Sequence, residues 1–181
     1  MIHTGHGRRL GALGCCLALA WLIPNDAHGQ GSENVLTLDA LSRMSPAQLD
    51  ALYANAAPGP IPTGKARGRA LLRPGTRLGP AISKGAGVVW QGKVFGEDGT
   101  SAVNRFFGVK AVRAEVSCGP SWRDGGPSMI LDYAKTSRIY AKYRDELRQV
   151  APGLWLGLMY DRTQQPATLK MYFAIQTQAG M

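Results

Sequence analysis

Alternation of apolar and polar side chains carries most of the chain, and helical spacing is confined to two stretches. Residues 64–72, 86–95 and 102–112 read as strands, the last extended by 113–116. The run 129–133 is a shorter strand, and 154–160 with 169–175 form a closing hairpin around the polar segment 161–168. In a regular strand Val88, Trp90 and Gly92 share one face, with Val89 and Gln91 on the other. Phe106 and Phe107 likewise point to opposite sides, one toward a core and one toward a second layer or cavity. Counted generously, six to eight strands are present.

The first helix begins at Ser45, with Pro46 in its first turn, Gln48 at the capping-box position and Leu49, Leu52 and Tyr53 on one face. The second is predicted over 137–150, where Ile139, Tyr140, Tyr143, Leu147 and Val150 recur at three- and four-residue spacing until Pro152 and Gly153 stop it. In that helix Arg144 and Arg148 share a face. Residues 77–84 carry no clear period, and 117–127 is a loop of turn formers in which Trp122 needs cover.

Composition changes the picture at the start of the chain. Arg8 and Arg9 precede an apolar run over 10–23 and small residues at Ala27 and Gly29, the pattern of an export signal cleaved after Gly29. The expected organisation is a signal peptide over 1–29, a polar segment and helix over 30–61, and a β-rich domain over 62–181, periplasmic or secreted. All three histidines, His3, His6 and His28, fall in the signal, and Cys118 is the one cysteine beyond it. The domain then has neither the ligands for zinc or haem nor a histidine for a catalytic triad, and no cofactor is expected. Without Arg8, Arg9 and Asp26 the formal charge of +9 becomes +8. The basic residues are dispersed, so nucleic acid is not an expected partner, whereas contact with an anionic envelope surface suits the charge.

Pro62-Thr63-Gly64 and Trp90-x-Gly92-Lys93-x-Phe95 resemble the paired signatures of small bacterial GXWXG-type domains, although the entry reads Gly64-Lys65-Ala66-Arg67-Gly68, without the tryptophan that names the family. The overall pattern of strands resembles calycin or lipocalin-like barrels. The resemblance implies a barrel with an apolar interior and supplies no catalytic residues. The 23 glycines suit such curvature. The expected fold is mainly β, a small antiparallel, lipocalin-like (calycin-like) barrel or strongly curved sheet with two short helices.

Three functions follow as expectations. The first is an exported carrier, a monomer or small oligomer, of a small hydrophobic or amphipathic, lipid-like molecule. Trp90, Phe107 and Tyr160 would line its site, and Arg144 and Arg148 would hold an acidic head group. The second is a metal-independent isomerase, cyclase or lyase, with Asp132 and Glu146 as an acid/base pair and Tyr140 beside them. The third is a structural envelope protein without a ligand.

Overall fold

The computed structural model describes residues 36–178; the expected export signal lies outside them. The described chain runs α1 (Leu38–Arg43), α2 (Pro46–Ala54), β1 (Gly64–Leu71), α3 (Gly79–Ala86), β2 (Trp90–Phe95), β3 (Ser101–Phe106), β4 (Val109–Pro120), β5 (Pro127–Asp132), β6 (Tyr143–Ala151), β7 (Leu154–Asp161) and β8 (Thr168–Thr177). The eight strands close into an antiparallel barrel in which each pairs with its sequence neighbours and β8 pairs back onto β1. Closure leaves no edge strand to protect.

Up-and-down connectivity sorts the loops by end. The connections 72–89, 107–108, 133–142 and 162–167 lie at one end; 96–100, 121–126 and 152–153 lie at the other. The second end is filled. Phe95, Met129, Leu147, Trp155 and Ile175 pack inside it, Ile61 packs against them, and the Trp155 indole N–H donates to Pro58 O at 3.1 Å.

A second apolar cluster lies on the outside. Leu38, Leu41, Leu49 and Tyr53 of α1 and α2 cover Leu154, Leu156, Leu158 and Tyr160 of β7, with Tyr172 and Ala174 of β8. Strand β7 is therefore buried on both faces, which explains its nearly continuous apolar sequence. The α2 capping box forms as its sequence requires, Ser45 Oγ accepting from Gln48 N at 3.3 Å and Gln48 Oε1 from Ser45 N at 2.9 Å.

Three elements differ from the sequence expectation. Residues 102–116, expected as one strand, reverse at Phe107-Gly108 into the hairpin of β3 and β4. Residues 143–151 are strand β6, not the end of a helix over 137–150. The local preference of Arg, Glu, Leu and Gln for helix yields to pairing on both sides, with β5 and β7. Conversely, 79–86 forms α3, anchored where buried Ser83 Oγ accepts from Leu72 N at 2.9 Å. Because α3 ends at Ala86, β2 begins only at Trp90, and Val88 and Val89 belong to an exposed connection.

Candidate functional site

The half of the lumen nearer the 107–108 turn is not filled. It holds a cavity of about 270 Å³, close to the roughly 300 Å³ at which ligand pockets begin. Its walls are Trp90, Phe106, Tyr140, Tyr143, Met159, Met171 and Phe173, and its floor holds Lys93, Asn104, Tyr133 and Asp145.

The position of Lys93 depends on a fault in β2. A regular strand would turn Lys93 away from the face that Trp90 occupies. The pairing with β3 slips between Trp90 and Gly92, and Gly92 sits at φ 112°, a conformation available to glycine. Trp90, Lys93 and Phe95 all end up buried in the interior cluster or the cavity wall. The Gly92 backbone also meets Gly68 closely: a Cβ on Gly92 would lie 2.4 Å from Gly68 N and 2.2 Å from Ala66 O.

Once inside, the lysine is fully engaged. Its ammonium donates to Asn104 Oδ1 at 2.8 Å, Tyr133 OH at 2.8 Å and Asp145 Oδ2 at 2.9 Å. It also lies 5.3 Å from the Phe173 ring centre and 5.5 Å from that of Trp90. The Tyr133 hydroxyl donates to Asp145 Oδ2 at 2.6 Å and accepts from Asn104 Nδ2 at 3.1 Å, while the Trp90 indole N–H donates to Asn104 Oδ1 at 3.0 Å. Asp145 Oδ2 thus takes both charge-network bonds, and Oδ1 takes neither. A buried ion pair of this kind is tolerable because its remaining donors are satisfied. Burial, then the Asp145 charge, pushes the Tyr133 phenol well above its ordinary pKa; burial and the nearby Tyr143 and Asp145 raise Tyr140. Both phenols stay protonated at neutral pH.

The sequence-predicted residues divide sharply. Trp90 and Tyr140 line the cavity. Phe107 does not: Phe106 points inward and Phe107 is 68% exposed in the turn. On β6 the alternation puts Tyr143 and Asp145 at the cavity, so Arg144, Glu146 and Arg148 face out. Arg148 is locked to Asp124 by bonds of 2.6 and 2.8 Å and to Tyr53 O at 3.1 Å. Glu146 accepts from Ser121 Oγ at 2.5 Å and from Trp122 N at 2.9 Å, with Arg144 at 3.2 Å. Trp122 lies between the Arg144 guanidinium, 4.2 Å from its ring centre, and Tyr160, at 5.7 Å. Asp132 pairs with Arg162 at 2.8 Å. Burial works against its ionisation, but that bond and the Ala134 N–H hold its pKa below the usual range.

The expected Arg144–Arg148 clamp and Asp132–Glu146 pair are therefore not at the cavity. Asp132 and Arg144 border instead a shallow outer groove of about 640 Å³ shared with Arg113, Glu115 and Lys135. No group of metal-ligating side chains occurs among the described residues. The sequence reading missed Lys93, Asn104 and Asp145. The signal for Lys93 was present in Trp90-x-Gly92-Lys93-x-Phe95, where the glycine marks the bulge.

No family model and no curated protein matches this chain. A crystal structure of a protein from Thermomonospora curvata is similar, with a TM-score of 0.50 and 20% identity over 75% of this chain and 89% of that one. At that identity the likeness concerns the fold alone, an eight-stranded antiparallel barrel compatible with lipocalin-like architecture.

Proposed function

We propose that the barrel binds one small, mainly apolar molecule in its lumen, with a neutral hydrogen-bond donor, such as a hydroxyl, directed at Asp145 Oδ1. The observation that supports this is an aromatic- and methionine-walled cavity resting on a charge-compensated floor. The Lys93 donors are already taken by three acceptors, so a carboxylate head group would find no open partner there. A hydroxyl meets a carboxylate oxygen that the network does not use. This moves the polar contact from the expected Arg144 and Arg148 to Asp145. Export to the periplasm or beyond rests on the 1–29 pattern and fits a carrier.

The test compares a medium-chain alcohol with the corresponding carboxylate, each titrated against the full chain by isothermal calorimetry. The alcohol is expected to bind more tightly, and Met159→Trp, which fills the cavity, to abolish binding of both. Preference for the carboxylate, or binding indifferent to Met159→Trp, defeats the reading.

One observation favours a second reading, a metal-independent isomerase, cyclase or lyase: a carboxylate flanked by the phenols of Tyr133 and Tyr140 in a low-polarity cavity. The base would be Asp145 rather than Asp132 or Glu146. Turnover that disappears in Asp145→Asn while the ligand still binds separates catalysis from carriage.

A further inference from the structure

The connections at the cavity end have a composition that the other end lacks. Segments 72–89 and 133–142 each carry three basic residues, 162–167 carries one, and none of the four connections contains Asp or Glu. At the opposite end, Glu97, Asp98 and Asp124 face a single arginine, Arg123. The acids at the adjoining strand ends are committed, Asp132 to Arg162 and Asp161 to Thr163. Among the described residues no ion pair engages Lys110, Arg138 or Lys142.

Large apolar side chains are exposed among these charges. Val88 is 69% exposed, Phe107 68%, Val109 65% and Ile139 81%. They are not scattered: Phe107 N donates to Val89 O at 2.9 Å, joining the two connections into one ridge. Ile139 precedes Tyr140, which lines the cavity and whose ring lies 6.2 Å from that of Phe106. The apolar tips therefore rim the mouth. Phe107 also occupies a conformation that the fold would fill better with asparagine or glycine. It and Gly108 form a two-residue hairpin turn with φ of 49° and 84°. A bulky ring at positive φ costs backbone energy, and out in water it gains no packing in return.

We propose that this end of the barrel docks on an anionic lipid bilayer, with the Val88–Phe107–Val109–Ile139 rim among the head groups and the cavity mouth toward the membrane. Apolar tips backed by lysine and arginine match the two attractions such a surface offers, burial at the acyl boundary and the negative surface potential. The side of the barrel offers no equivalent, since β4 turns Arg113, Glu115 and Ser117 outward. A polyanion such as nucleic acid would meet the charges but gain nothing from valine and isoleucine tips. The proposal goes beyond lumen binding and stands without it, because no residue named for docking forms the cavity floor.

Hydrogen exchange of the full chain with vesicles tests it locally, which matters because the apolar run 10–23 can itself bring the chain to lipid. Vesicles containing phosphatidylglycerol are expected to slow exchange in 87–89, 105–110 and 137–142, leaving 96–100 unchanged; pure phosphatidylcholine has little effect. Lys110→Gln and Lys142→Gln are each expected to weaken the rim's response about fivefold. Phe107→Ser weakens it further, with a near-unchanged fold because the ring is exposed. Membrane-bound chain without rim protection overturns the proposal. So does equal protection by a soluble sulfated polysaccharide, or protection that requires an added envelope protein.

Discussion

Asp145 and Glu146 are neighbours on β6, both nearly excluded from solvent at 4% and 0% exposure, yet they occupy different kinds of environment. Glu146 faces outward into packed protein, and both of its oxygens are taken by Ser121, Trp122 and Arg144. It staples the 121–126 turn to the barrel wall. Asp145 faces inward, gives one oxygen to Lys93 and Tyr133, and borders empty volume. A buried charge is therefore not in itself a sign of a site. The adjacent unfilled space and the oxygen outside the network distinguish the inner carboxylate from the structural one.

Removing the inner cation breaks the contrast most severely. Lys93→Met leaves Asp145 buried and uncompensated and is expected to cost about 3–5 kcal/mol in urea unfolding. Adding Asp145→Leu should recover most of that loss, since a buried pair replaced by apolar groups is often near neutral. A fully stable single variant means that water reaches the pair and the two faces do not differ as described.

On the outer face, Arg148→Ala removes the bonds to Asp124, Ser128 and the Tyr53 carbonyl, and a cost of about 2–3 kcal/mol is expected. Its signature is lost stability with lumen affinity unchanged. Loss of affinity at constant stability would mean that the outer network reaches the cavity.

The same latch has a pH signature. The bond from Arg148 holds the Asp124 pKa below the usual carboxylate range, against a smaller effect of burial. A depressed folded pKa contributes stability that is present above the unfolded value, near 3.8, and is lost as pH falls through the folded one. Acid unfolding of the parent should therefore steepen below about pH 4 relative to Arg148→Ala. Parallel curves would remove Asp124 from the latch. The smallest effect belongs to Trp90→Phe, which deletes one N–H bond to Asn104 and is expected to cost about 1 kcal/mol.

The barrel was legible because alternation and the turn residues between the strands agree with it. The site was only half legible, for reasons visible in particular residues. Segment 143–150 carries helix-favouring side chains at helical spacing, and only pairing with β5 and β7 reveals it as a strand. Read as a helix, it put Arg144 and Arg148 on a shared face, when in fact Asp145 is the residue turned to the lumen. The like-charged Arg144–Arg148 pair was the discordant feature of that helix. Phe107 was expected at the cavity, on the opposite face of one strand from Phe106; instead the strand ends at Phe106, which lines the cavity, and the chain reverses at Phe107-Gly108.

The slip in β2 makes the character of the lumen a matter of counting. Deleting Gln91 would restore even spacing and leave Trp90, Lys93 and Phe95 on one face, so the charged floor should survive the loss of the bulge. Keeping Gln91 without the bulge is what would turn Lys93 away from the face of Trp90 and leave Asp145 and Tyr133 without their cation. A homologous strand one residue shorter between Trp90 and Lys93 would need no bulge, and no glycine at the position of Gly92, to keep both side chains inside. In this architecture a bulge and the one residue it absorbs keep the lysine on the same face as the tryptophan.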